Sequence, residues 1–159
     1  MQQSMIMKGA IFALFLFLTS CSKSSHQWIC EKTLTHDPCY DSMRIILPSR
    51  NHFRELELEL TQGAYCKMYI NVFSIELPED PDCPNKTKVS LSVDGNSKIV
   101  YADRLKGGQR LLLPPDTTQM IIDSLLEGKP LSLSVSRYKA EIIPDRFSNF
   151  YQALEKMKS

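Results

Sequence analysis

Several things are scarce in this chain, and each scarcity removes a class of function. Charge imbalance is one: 19 Lys and Arg against 18 Asp and Glu leave a formal charge of +1. Nucleic-acid and polybasic membrane surfaces need clustered Lys and Arg, and the charges here are scattered, so nucleic acid is not an expected partner. Long apolar runs are also missing. The greasiest stretch, residues 9–18, is about half the ~20 residues that a mature membrane helix requires. Six Gly and nine Pro exclude a collagen-like chain, and 43% apolar content excludes a wholly disordered one. His26, His36 and His52 are the only histidines, and no G-x-S-x-G, H-E-x-x-H or P-loop sequence occurs. The expectation is therefore a protein that is not an enzyme, with no catalytic residue, metal ligand or cofactor to assign. Of the 159 residues, the first twenty read as a removable export segment, and the remaining 159 − 20 = 139 suit one domain with one hydrophobic core.

What is present begins at the N-terminus. Lys8 precedes Gly9-Ala-Ile-Phe-Ala-Leu-Phe-Leu-Phe-Leu18, and small residues follow, the layout of a secretory signal. Leu18-Thr19-Ser20-Cys21 resembles the lipobox of bacterial lipoproteins. That resemblance implies cleavage between Ser20 and Cys21, diacylglycerol on the Cys21 sulfur, and a third acyl chain (palmitate) on its new amino group. Each buried methylene contributes roughly 0.8 kcal/mol, and two or three chains hold a protein on a bilayer where one does not. Ser22, in place of the Asp that favours inner-membrane retention in many Gram-negative bacteria, makes the outer membrane the expected destination. The organisation read from this is a signal peptide over residues 1–20, a lipidated tether over 21–27 and a single β-rich domain over 28–159. Lys23-Ser24-Ser25-His26-Gln27 span at most about 18 Å, which keeps the domain close to the bilayer.

Four cysteines remain: Cys30, Cys39, Cys66 and Cys83. An even set in an exported chain suggests two disulfides, with three connectivities open. Cys30–Cys39 with Cys66–Cys83 closes the shortest loops, each bridge contributing roughly 2–3 kcal/mol. A zinc site using His36 and Cys39 lacks the close C-x2-4-C spacing of structural zinc. A thiol nucleophile at Cys39 beside His36-Asp37 is the one enzymatic alternative, since a neighbouring imidazole depresses a thiol pKa, and a disulfide would abolish it.

The rest of the chain alternates. Phe53-Arg-Glu-Leu-Glu-Leu-Glu-Leu60 puts Leu56, Leu58 and Leu60 on one face of a strand and Glu55, Glu57 and Glu59 on a solvated one. Residues 65–77 read as a long central strand, apolar on both sides. Residues 78–85 hold three prolines and three acids, hence a solvated loop. Val89, Leu91 and Val93, then Asp94-Gly95, then Lys98-Ile-Val-Tyr101 read as a hairpin. Pro114-Pro115-Asp116 opens a helix with Asp116 as its N-cap, and Gly128 stops it. Leu131, Leu133 and Val135 resume alternation, pairing with residues 138–143. Phe147, Phe150, Tyr151, Leu154 and Met157 form the stripe of a last helix that covers its own sheet. Seven or eight strands joined by short turns give a mainly β class: an antiparallel β-sandwich with one or two covering α-helices.

Residues 88–157 resemble the C-terminal half of the invasion-associated locus B family, exported β-sandwich proteins of bacteria. The matching stretches are Val89-Ser-Leu-Ser-Val-Asp-Gly95, Leu113-Pro-Pro-Asp116, Ile121-Ile-Asp-Ser-Leu-Leu-Glu-Gly-Lys-Pro-Leu131 and Phe147-Ser-Asn-Phe-Tyr-Gln-Ala-Leu154, with Trp28-Ile-Cys30 a looser match. The family commonly has two cysteines around the turn that reads Arg104-Leu-Lys-Gly-Gly-Gln109 here, where there are none. The resemblance implies an exported β domain with a link to virulence, and no catalytic residue. The functional expectation is a membrane-anchored envelope lipoprotein with a binding or structural role. Its partners are the lipid bilayer, through acylated Cys21, and an envelope or host protein. The alternative is an inhibitor of a host or competitor cell-wall hydrolase, inserting the loop at residues 78–85.

Overall fold

The computed structural model describes residues 27–36, 41–63 and 65–156. Within them run β1 (Ile29–Thr33), β2 (Ser42–Leu47), β3 (Glu57–Gln62), β4 (Cys66–Asn71), β5 (Lys86–Val93), β6 (Asn96–Arg104), β7 (Arg110–Leu112), β8 (Leu131–Val135) and β9 (Tyr138–Ile142). Helix α1 (Pro115–Leu126) joins β7 to β8, and α2 (Phe147–Glu155) follows β9. All nine strands form one antiparallel sheet in the order β1-β2-β3-β4-β7-β6-β5-β8-β9. The mainly β class with two helices is as the sequence led us to expect, and the hydrogen bonding makes it one continuous sheet.

Period-two patterning decides which face is inside. Leu58 and Leu60, Met68 and Ile70, Val89 and Leu91, and Leu131 and Leu133 all point inward and are buried. The sheet curls so that its two ends meet. The Lys139 N–H donates to the Arg54 carbonyl at 3.0 Å, and Glu55 bridges Lys139 in parallel. From the other end the Trp28 indole Nε1–H donates to the Ile143 carbonyl at 2.9 Å. That curl encloses a single core to which every strand from β2 to β9 contributes.

The two helices complete the layer. Pro115 stands at the first helical position of α1, where its missing N–H costs nothing. The cap position is Pro114 and carries no side-chain hydrogen bond; Asp116 lies within the first turn, so it is not the N-cap. At the other end the Gly128 N–H donates to Leu125 O and the Lys129 N–H to Ser124 O, with Gly128 at φ 77°. That is the Schellman arrangement, which needs a left-handed residue and finds glycine. In α2, Phe147 and Leu154 are fully buried and Phe150 and Tyr151 partly so. The Trp28 and Phe147 rings lie 4.9 Å apart, tying the start of the domain to its last helix. Met157 of the expected stripe lies outside the described residues.

Three expectations change. Strand β3 starts at Glu57 rather than Phe53, because the Arg54 and Glu55 N–H groups both bond Asn51 O in a turn. Strand β4 ends at Asn71 rather than Leu77, and its outer face is clothed by side chains of its own sheet. Residues 78–85 are a braced turn. Asp80 bridges Cys83 there, Thr87 donates to Pro78 O at 2.8 Å, and the nearly buried Asp80 carboxylate meets Lys88 Nζ at 2.8 Å. That ammonium, and then backbone N–H donors, hold the Asp80 carboxyl below its ordinary pKa.

Candidate functional site

One row of the sheet organises the most distinctive surface. Tyr69 of β4, Leu112 of β7, Asp103 of β6 and Lys86 of β5 stand side by side. Strand β7 has only three residues, whereas β4 has six and β6 nine. Continuing the register shows why it stops. Leu113 N–H still donates to Met68 O at 2.9 Å, but Pro114 then falls opposite Tyr101 and Pro115 opposite Cys66. Neither proline has an N–H to give, so both ladders end there. Beyond Leu112, β4 and β6 are flanked only by Leu113 and the extended Pro114, which leaves a gap in the hydrogen-bond ladder there.

A cavity of about 440 Å³ occupies that gap, lined by Tyr65, Cys66, Lys67, Asp103, Leu112, Leu113, Pro115 and Thr118. Its size falls within the range of about 300–1,000 Å³ usual for ligand sites. Its lining is mostly apolar, with Lys67 and Asp103 on opposite rims. Asp103 is engaged by Lys86 Nζ at 3.3 Å, whereas Lys67 takes part in no ion pair among the described residues. Thr118 is 3% exposed, and its hydroxyl is buried without a hydrogen-bond partner among the described residues. Such an orphan costs about 1–3 kcal/mol. Around the gap, the large apolar side chains of Tyr65, Ile99 and Tyr101 reach solvent.

On the other side of the row the outer face is closed by polar contacts. Glu59, only 4% exposed, accepts from Asn71 Nδ2 at 3.1 Å and is ion-paired with Arg110 Nη2 at 3.2 Å and Arg44 Nη1 at 3.8 Å. Asn71 also donates to Glu57 at 3.0 Å, and Arg44 to Glu31 at 2.7 Å. The Arg110 guanidinium lies 4.0 Å over the Tyr69 ring. The expected solvated row of glutamates is thus corrected at Glu59, which two arginines and an amide cover.

The cysteines are placed as follows. Cys30, Cys66 and Cys83 form no disulfide with one another. Cys66 opens β4, whereas Cys83 lies in the turn before β5, and the two are not bridged. A disulfide requires Cα atoms within about 7 Å. Cys39, with its pairing to Cys30 and its place beside His36-Asp37, lies outside the described residues, as do Ser20 and Cys21. Cys30 sits on the inner side of β1 opposite Ile45, and burial, then the neighbouring Glu31, pushes its thiol pKa up. Cys66 donates to Gln62 Oε1 at 2.7 Å and touches Tyr151. Burial first, and then Cys66 and Glu155, push the Tyr151 hydroxyl up to about 12.

Among the described residues, no three His, Cys, Asp or Glu side chains gather as metal ligands, and no helix is long and apolar enough to cross a membrane. Sequence reasoning did not single out Lys67, Tyr101 or Thr118. The one signal it held was Pro114-Pro115, whose meaning depends on knowing which strands flank it. The fold and the gap together define a mainly β antiparallel domain with an interrupted sheet. No family model, curated protein or solved structure matches this chain.

Proposed function

We propose that this protein is a membrane-anchored lipoprotein of a bacterial envelope that binds a partner rather than catalysing a reaction. The observation that carries the reading is Leu18-Thr19-Ser20-Cys21 at the end of the ten-residue apolar run Gly9–Leu18. Acylation of Cys21 would place the start of the domain, Trp28, within about 25 Å of the lipidated residue. Ser22 favours the outer membrane. The open gap between β4 and β6 gives such a domain a surface suited to binding. The likeness of residues 88–157 to the invasion-associated locus B family agrees with an exported β domain and adds no binding residue.

The test is phase partitioning of the full chain expressed in a Gram-negative host. The wild-type protein is expected in the detergent phase, with a mature mass that includes the lipid. Cys21→Ala is expected in the aqueous phase or held as an uncleaved precursor. Unchanged mass and partitioning of the cleaved variant would remove the anchor from the account.

A further inference from the structure

We propose that the end of the domain at which the chain enters β1 is a bilayer-contacting face, which lays Phe53, Phe73 and Ile75 against anionic lipid. This orientation rests on the proposed anchor and adds which way the anchored domain faces. Its first support is strand register. Strand β1 begins at Ile29 opposite Ile46, one residue before β2 ends at Leu47 and the 48–56 loop follows. It then runs away from that loop, so that Thr33 lies opposite Ser42. The chain ahead of β1 therefore arrives from the side of the 48–56 loop, and an acylated Cys21 would draw the domain down by that side. Strand β4 ends on the same side, with Asn71 opposite Glu57, and places residues 72–77 there. Strand β9 starts there too: the Lys139 N–H donates to the Arg54 carbonyl, and the Ser74 hydroxyl meets the Tyr138 hydroxyl.

The side chains gathered at that end suit a lipid headgroup boundary. Phe53 is 71% exposed, Phe73 45% and Ile75 39%. The His52 and Phe73 rings lie 4.7 Å apart, which joins the two loops into one patch. Residues 48–56 and 136–138 carry Arg50, Arg54 and Arg137 against Glu55 as their one acid. Glu55 pairs with Arg50 at 3.6 Å, whereas the exposed Arg54 and Arg137 take part in no ion pair among the described residues. Farther round the same end Glu76 meets Arg104 and Asp80 meets Lys88, while Glu79 and Asp82 have no cation among the described residues. Exposed aromatic rings beside arginines fit a bilayer surface: the rings enter the acyl margin and the guanidinium groups bond lipid phosphates. The tether selects lipid over a protein partner. From Cys21 to Trp28 the chain reaches about 25 Å at most, so the bilayer is the surface that this end meets first.

The experiment uses the full chain, purified from a Gram-negative host and reconstituted in phosphatidylethanolamine–phosphatidylglycerol vesicles whose acyl chains carry bromine. Trp28, the only tryptophan, is buried and supplies a constant background. The added indole of Phe53→Trp is expected to be quenched by the bromine. Leu126 is an exposed residue at the opposite end, where Lys129 reaches Asp94 in the β5–β6 turn, and the indole of Leu126→Trp is expected to stay unquenched. Adding Arg54→Glu to Phe53→Trp should cut the quenching roughly twofold. A second readout needs no substitution: amide hydrogen exchange across residues 51–54 and 73–75 should be slower on these vesicles than on phosphatidylcholine alone. Equal quenching at the two positions, or stronger quenching of Leu126→Trp, overturns the proposal. Quenching of Phe53→Trp that Arg54→Glu leaves unchanged overturns it too. Should a variant fail to fold, the exchange comparison decides alone, and equal rates on the two kinds of vesicle count against the face. The mass of the reconstituted protein is read separately. Lipid on Cys21 without quenching of Phe53→Trp removes the face and keeps the anchor, whereas quenching without that lipid keeps the face and removes the anchor.

Discussion

Strand β4 passes through two different surfaces, one on either side of Tyr69. Toward Asn71 it has β3 and β7 as neighbours, and Arg44, Glu59, Asn71 and Arg110 close over the outer face in a chain of ion pairs and amide bonds. Toward Cys66 it has lost β7, and the surface opens onto Leu112, Leu113, Pro115 and Thr118. The same strand thus carries at one end a polar surface covered by ion pairs, with Arg110 Nε buried without a partner among the described residues, and at the other an apolar surface open to solvent. A complete sheet can afford a buried carboxylate on its outer side, because strands 4.8 Å apart bring cations from both flanks to it. Remove one strand and the inner layer becomes accessible from outside.

The comparison breaks most sharply at two adjacent residues of β3. Leu60 points inward and is fully buried, so Leu60→Ala should cost about 2–5 kcal/mol in urea unfolding through the lost apolar contact and the cavity it leaves. Glu59 points outward beneath its arginines. Glu59→Leu should cost about 1–3 kcal/mol, since it removes two ion pairs and the Asn71 hydrogen bond while the half-exposed Arg44 and Arg110 side chains keep part of their guanidinium groups in water. If Glu59→Leu matched or exceeded Leu60→Ala, the outer ladder would hold the sheet as firmly as the core, contrary to this account.

At the unfinished end the sign reverses. Thr118→Val keeps the shape of the side chain and deletes a hydroxyl that has no partner among the described residues. Replacing an unsatisfied buried polar group with an apolar isostere should stabilise the fold by about 1 kcal/mol, read as a higher urea midpoint at unchanged m-value. A loss of stability would mean that the hydroxyl is satisfied in solution, and that the cavity beside it is hydrated.

What could be read from the sequence was local. Asp94-Gly95 marked its hairpin because two successive positive φ angles suit those residue types, and they are found at 50° and 79°. Gly128 marked the end of α1 and Phe147 the inner stripe of α2, since each depends on neighbours within a turn or two. What could not be read depends on partners far along the chain. Glu59 looks like Glu57 in the sequence, and its burial follows from Arg110 arriving on β7, about fifty positions later. Strand β1 escaped notice because its side chains are mostly exposed, leaving no alternation to detect. The gap was written in Pro114-Pro115, but two prolines before a helix read as a helix start. Their second effect, denying an N–H to Tyr101 and to Cys66 alike, appears only once β6 and β4 are known to flank them.

The smallest expected effect is a pH dependence that reports on the open end. Tyr151 of α2 touches Cys66 at the margin of the cavity, and its hydroxyl is pushed up to about 12, by burial first and then by Cys66 and Glu155. In an unfolded chain a tyrosine titrates near 10. The folded protein therefore holds this proton more tightly than the unfolded chain does. The contribution is complete below about 10 and is lost as pH rises toward about 12. Tyr151→Phe cannot ionise, so the variant should show a shallower fall in stability than wild type across that window and little change at neutral pH. Urea midpoints measured at several alkaline values for both proteins, with the absorbance of ionised tyrosine followed alongside, test this. Coincident slopes for the two proteins would show that Tyr151 is already hydrated, and that the cavity margin is more open than its contact with Cys66 implies.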